Sequence, residues 1–188
     1  MCGRFQLVSD ENTLKATYPQ VRIVQPTLFS NEIFPTQNVS TITNDLNLSN
    51  LDWGIKVSFT KRPIINARLE TADQKELFRD AFFTNRCLIP MSGFYEWNQL
   101  KEKYLFKPRD YEIASFAGLV VATRIENKFV LQTALLTKVA SSSMQNTHHR
   151  MPILIPPKDS IKYLKMDNSE IKTYLNQIDL PLEVRLVG

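Results

Sequence analysis

Position two of this chain is a cysteine, and removal of the initiator methionine would make Cys2 the N-terminal residue. It would then hold two nucleophiles on adjacent carbons, an α-amine and a thiol. An α-amine with a pKa of about 7.7–8.0 is partly neutral at pH 7, unlike a lysine near 10.4. Gly3 leaves space for a reactant to approach. Glu96 stands among Phe94, Tyr95 and Trp97, where desolvation would raise its pKa into the range useful for proton transfer. His148 and His149 precede Arg150-Met151-Pro152, and a histidine titrating near neutrality suits general acid–base work. Asn66 and Arg68, two apart on an extended segment, share a face. They offer an amide beside a guanidinium that could grip a phosphate with paired hydrogen bonds. Each position also has an ordinary structural reading. Cys2 can be a small buried hydrophobe, Glu96 a wet-face strand residue, the histidines a surface-loop pair, and Asn66 and Arg68 plain surface.

Composition narrows the setting of these groups. At 188 residues, 43% hydrophobic and 22% charged, the chain is too apolar to be disordered and has the size of a single domain, residues 1–188. No apolar run reaches the ~18 residues that span a bilayer, and Arg4, Gln6, Ser9 and Asp10 interrupt any signal-peptide core. A cytoplasmic, non-membrane protein is expected. A net charge of +4 permits a nucleic-acid partner without requiring one. Cys2 and Cys87 do not make a disulfide framework, and with His148 and His149 they lack zinc-site spacing, so no metal is expected. Five glycines form no phosphate-cradling loop, which argues against a nucleotide cofactor held that way; none of any kind is expected.

The elements that must carry the candidate groups can be placed in outline. Ser9-Asp10-Glu11 starts a helix that Pro19 stops, and residues 20–36 read as loop and extended chain. Short strands are expected at 37–43 and 48–53, about an Asn44-Asp45 turn, then an extended segment at 64–68. Thr71-Ala72-Asp73-Gln74 has a capping-box pattern, with Leu77, Phe78, Ala81 and Phe82 as the apolar face of a helix to about Asn85. Strands follow at 87–90, 93–97, 114–123 and 129–137, the last two joined by a turn at Glu126-Asn127. Residues 140–150 read as loop or short helix, then come a buried strand at 153–155, helices near 158–165 and 169–176, and a strand at 183–187. Without regular β-α-β alternation the fold class is α+β, a curved, barrel-like, mainly antiparallel sheet with peripheral helices.

Four segments together resemble one family. They are Cys2-Gly3-Arg4-Phe5, Asn66-Ala67-Arg68-x-Glu70-Thr71, Arg86-Cys87-Leu88-Ile89-Pro90-x-x-Gly93-Phe94-Tyr95-Glu96-Trp97, and His148-x-Arg150-Met151-Pro152. In this order they look like the SRAP family, the SOS-response-associated peptidase proteins that process abasic sites in DNA. Pro35-Thr36-Gln37 and Trp53-Gly54 fit the same pattern, while Asn31-Glu32-Ile33-Phe34 agrees less well. The resemblance implies a monomer acting on single-stranded DNA that contains abasic sites, cross-linked through the processed Cys2. It implies that Asn66 holds the N-terminal residue and the opened sugar, Glu96 handles protons, and His148 is the acid–base on the sugar. Arg4, Arg68 and Arg150 would grip phosphates. Trp53 and Trp97 would pack against bases or sugar, or else in the core. His149 receives no role.

Rival readings remain. N-terminal-nucleophile glutamine amidotransferases also mature to Cys-Gly, but their Asn-Gly and Gly-Asp turns are missing here. A thiol peptidase using Cys2, His148 and Glu96 on external substrates is another, whereas self-processing and lyase-type activity at the same three residues belong with the cross-linking reading. A non-covalent single-strand-binding module is the third.

Overall fold

The computed structural model describes residues 2–188. Its first half contains β1 (Phe5–Leu7), α1 (Glu11–Thr17), β2 (Arg22–Ile23), β3 (Ser30–Ile33), β4 (Asn38–Ile42), β5 (Asn47–Trp53) and β6 (Asn66–Arg68). Two helices follow, α2 (Leu69–Ala72) and α3 (Glu76–Thr84), then β7 (Arg86–Met91), β8 (Gly93–Trp97) and β9 (Lys103–Pro108). The long strands β10 (Ala114–Ile125) and β11 (Lys128–Val139) lead to β12 (Arg150–Pro152) and β13 (Leu154–Ile155). Helices α4 (Ser160–Lys165) and α5 (Ile171–Gln177) precede the last strand, β14 (Leu182–Leu186).

The expected barrel is present. β11 pairs with β10, β10 with β7, β7 with β4 and β4 with β5, all antiparallel. β5 then returns to β11 in parallel, with Trp53 opposite Thr133, and closes the ring. Against it lies a five-stranded sheet in the order β14-β9-β8-β1-β3. The two layers meet through aromatic rings. Phe5 of β1 packs edge-on against Trp53 at 5.1 Å and against Phe116 at 5.2 Å, and Phe94 joins Phe116 at 6.0 Å. Such pairs add about 0.5–1.5 kcal/mol to the apolar burial itself.

Two features of this closure position the candidate groups. After Trp53 the chain leaves the barrel and comes back as β6, on the same edge of β11, with Asn66 opposite Leu135 and Arg68 opposite Thr137. The excursion is held by the Trp53 indole, which donates to the Ile65 carbonyl at 3.1 Å, and by the Gly54 amide, which donates to the Thr133 carbonyl at 2.9 Å. At its far end β11 parts from β10, and residues 150–155 fill the wedge. The Ile153 amide donates to the Leu136 carbonyl, and the Ala117 amide donates to the Ile153 carbonyl.

Local signals were read with uneven success. Asp10 caps α1, its carboxylate accepting from the Thr13 amide at 2.9 Å, and the Glu126-Asn127 turn has both residues at positive φ, as a tight two-residue hairpin demands. The Thr71–Gln74 capping box does not form. Helix α2 begins before it and ends within it, α3 starts after Lys75 with no side-chain cap, and the Thr71 hydroxyl is buried without a hydrogen bond. Burial of Leu69 and Ala72 against the barrel decided that backbone path. β3 lies in the stretch read as loop and extended chain, and β9 was not anticipated; both are specified by partners far away in sequence.

Gly54 has φ +124°, and a Cβ there would lie 2.9 Å from the Pro63 side chain and 3.2 Å from that of Ile65. Gly54→Ala is therefore expected to cost about 1–3 kcal/mol, read as a lower urea midpoint at unchanged m-value. A change within about 0.5 kcal/mol, the range of neutral surface substitutions, would show that the 55–65 excursion is not rigidly held.

Candidate active site

Cys2 is fully buried beside β6. Its backbone carbonyl accepts a hydrogen bond from Asn66 Nδ2 at 3.0 Å, and its thiol points to the Arg4 carbonyl at 3.7 Å. Because that carbonyl can only accept, the Asn66 amide is oriented with Oδ1 turned away. Oδ1 is itself buried without a hydrogen-bond partner, an acceptor held beside Cys2. Burial, and then the nearby Glu96 carboxylate, push the Cys2 thiol well above its usual range. The thiol is thus protonated at neutral pH.

Glu96 comes to Cys2 from the five-stranded sheet. Along β8 the side chains alternate, Phe94 and Glu96 turning inward while Tyr95 and Trp97 stay half-buried outside. The wet-face reading of Glu96 fails, since it is only 4% exposed. Burial raises its carboxyl above the ordinary carboxylate range.

His148 lies just before β12. Its Nδ1 accepts the Arg150 amide N–H at 2.9 Å, so in the neutral ring the proton sits on Nε2. His149 stacks on it, centroids 4.5 Å apart. Partial burial first, and the charges of His149 and Arg150 after it, lower the His148 pKa.

Two expected DNA contacts are placed elsewhere by the structure. Arg150 is nearly buried, its guanidinium paired with both oxygens of Glu70, at 2.5 and 2.9 Å, and bonded to the Thr137 carbonyl at 2.9 Å. It is an internal strut and does not present its charge to a phosphate. Trp53 is fully buried in the aromatic core, so of its two readings the packing one holds. Arg68 is exposed and, with Asn66, lines one end of an open groove of about 1110 Å³ bordered by Leu77, Ala81 and Val120. Cys2, Glu96 and His148 do not line that groove. Arg4 and Trp97 lie together on the outer sheet face, the guanidinium 5.6 Å from the indole. Among the described residues no group of three or more His, Cys, Asp or Glu is arranged to hold a metal, and no helix is long and apolar enough to cross a membrane.

Glu70 is the site-shaping residue that spacing did not reveal. It follows Arg68 by two positions, yet its partner is 80 residues away. Through Arg150 it fixes the backbone amide that holds His148, and so joins α2 to β12.

A small closed barrel flanked by a second sheet, with Cys2 buried in the field of the Glu96 carboxylate, defines the class. The profile of the SOS response associated peptidase (SRAP) family matches residues 1–187, and the chain belongs to that family. It is 29% identical to the abasic site processing protein YobE of Bacillus subtilis, covering 97% of this chain and 90% of that one. With YoaM of the same organism, likewise named an abasic site processing protein, identity is 30% over 97% and 87% of the two chains. A crystal structure of a Bordetella bronchiseptica protein superposes with a TM-score of 0.85 at 20% identity, covering 100% of both chains.

Glu70→Ala would leave the buried Arg150 short of its carboxylate. Glu70 is 45% exposed, so solvent screens the pair and the expected loss is about 1 kcal/mol at pH 7. Arg150 holds the Glu70 carboxyl below its usual range. The contribution is therefore complete above the ordinary carboxylate pKa and vanishes as pH falls through the lowered one. Urea melts of both proteins should differ at pH 7 and converge in strong acid; a pH-independent difference would refute the ion-pair account.

Proposed function

We propose that this protein processes abasic sites in single-stranded DNA by forming a covalent thiazolidine cross-link through Cys2 after removal of Met1. The reading rests chiefly on the seating of Cys2, which Asn66 clasps by its carbonyl within the field of a buried carboxylate. The relatives YobE and YoaM are named for abasic site processing.

An abasic sugar must open before it can react. His148, with its proton on Nε2, donates to the ring oxygen as the C1′–O4′ bond breaks, and loss of the C1′ hydroxyl proton leaves an aldehyde. The Cys2 amine, neutral in part at pH 7, adds to the aldehyde carbon while the buried thiol is still protonated. Glu96, its carboxyl raised by burial, protonates the departing hydroxyl, and water leaves as the C=N bond forms. The thiol then adds to the same carbon as the C=N electron pair moves onto the ring nitrogen, and its proton returns to the Glu96 carboxylate. A five-membered ring closes within one residue, which gives the sulfur a large effective concentration. The orphan Asn66 Oδ1 accepts from the amine or from a sugar hydroxyl, and Arg68 takes a flanking phosphate.

The imine stage also accounts for lyase activity. An iminium acidifies the neighbouring sugar carbon, so unless sulfur captures it the 3′ phosphate can be eliminated. The same proton-transfer groups would serve removal of the leading methionine. A general thiol peptidase is disfavoured by the thiol itself, which is buried and raised where an activated thiolate would be lowered.

Mature protein mixed with abasic single-stranded DNA should give an adduct that survives denaturation, with a mass equal to the sum of the two minus one water; its absence would sink the proposal. Cys2→Ser should give only a labile imine and more strand cleavage, and an equally durable adduct in that variant would refute the ring-closure step. Glu96→Gln should slow adduct formation by about 10²-fold, within the usual range for general acid–base groups, at unchanged DNA affinity. A rate near that of the unmodified protein would remove Glu96 from the mechanism.

A further inference from the structure

The outer face of the five-stranded sheet holds a charged cluster that the mechanism does not use. Glu32, on the edge strand β3, accepts at one carboxylate oxygen from two cations, Arg4 at 3.0 Å and Lys103 at 2.6 Å. Both cations rest on aromatic rings. Arg4 lies 3.7 Å from the Phe34 centroid and Lys103 lies 4.2 Å from that of Tyr95, with Trp97 at 5.6 Å from each. We propose that Lys103 joins Arg4, which the family resemblance already assigns to a phosphate, in one subsite for a single-stranded nucleic acid, and that Glu32 occupies it in the free protein as an internal substitute for the phosphate.

The charges and hydrogen bonds of the cluster support an exchangeable anion. Two cations and one carboxylate leave one positive charge uncompensated. Arg4 meets Glu32 through Nη1 alone, so the guanidinium has donor capacity that Glu32 does not fill. Convergence of two cationic donors on one anionic oxygen is what a phosphodiester oxygen would meet, and a phosphodiester brings a second oxygen for the remaining donor. Phe34, Tyr95 and Trp97 hold both heads over ring faces, which keeps them aimed outward whether or not Glu32 is bound.

Exchange is inexpensive. The Arg4, Lys103 and Glu32 side chains are 26%, 25% and 32% exposed, and partly exposed ion pairs contribute about 0–1 kcal/mol each. Glu32 can leave by rotating its own side chain, because the edge strand bonds to β1 through its backbone. The Lys103 hydrogen bond, more than any other contact, holds the Glu32 carboxyl below its usual range. Glu32 is therefore ionised across neutral pH and competes throughout. The location suits a strand passing Cys2, since Arg4 is two residues away and its carbonyl receives the Tyr95 amide at 2.8 Å.

The proposal rests on single-stranded DNA being the ligand, and the experiment separates the two. Binding of an undamaged oligothymidylate is measured by fluorescence anisotropy across a salt series for the native protein, Glu32→Gln, Lys103→Ala and the double variant. Adduct yield on an abasic oligonucleotide is measured in parallel. Glu32→Gln should bind about three- to tenfold more tightly at low salt, with a log–log salt slope steeper by about 0.7, the value of one added single-strand phosphate contact. Lys103→Ala should bind more weakly with a slope shallower by a similar amount, and the gain from Glu32→Gln should shrink in its background. Unchanged or weaker binding by Glu32→Gln, or an unaltered slope in Lys103→Ala, would overturn the subsite while native adduct formation left the main reading standing. No binding and no adduct with the native protein would overturn both. Urea midpoints of the variants close to that of the native protein exclude unfolding as the cause of any weakening.

Discussion

The contact of Phe5 with Trp53 is the constraint on which the site depends. Trp53 ends the strand that closes the barrel, and Phe5 belongs to the second sheet only three residues after Cys2. Their edge-on packing, extended through Phe116 and Phe94, locks one layer to the other and fixes where the N-terminus emerges. Without it the reactive residue would sit at the end of a fraying strand. With it, Cys2 is buried where Asn66 can reach its carbonyl and Glu96 can act on its thiol.

The barrel's closure sets the other half of the site. Because β5 and β6 both pair with β11, the excursion between them must begin and end on one strand edge, and Asn66 follows directly. The splayed end of β11 admits the segment after His148, and the Glu70–Arg150 pair ties that segment back to α2, directly after β6. Asn66 and the segment after His148 thus come from distant parts of the chain and share β11 as their support, whereas Glu96 reaches Cys2 from the five-stranded sheet. The two faces of the second sheet differ in character: inside, desolvation raises a carboxyl and a thiol, and outside, Arg4 and Lys103 lie on aromatic rings.

Much of the site was legible before any coordinates. Cys2, Asn66, Glu96 and His148 stood out because their chemistry does not fit easily into a plain core or a plain surface, and the motif order strengthened each. Local structure governed by short-range forces was equally readable, as at the Asp10 cap and the Glu126-Asn127 turn. Signals that needed a decision between local and distant partners were not. The Thr71–Gln74 capping box lost to the burial of Leu69 and Ala72, and β9 exists only because β8 and β14 flank it.

The sequence by itself determined the inventory: an aminothiol in waiting, a carboxylate among aromatics, a histidine, several arginines and an α+β, barrel-like frame. Only the tertiary structure decided which charges are free to meet a ligand. Arg150 and Arg68 read alike in sequence, yet the first is committed to Glu70 and the second is open. Trp53 and Trp97 read alike as well, yet one closes the core and the other floors an exposed cluster. The reason is physical. A charge's availability depends on which opposite charge and how much water lie within a few ångströms, and those distances are set by pairings between charged residues up to 99 positions apart.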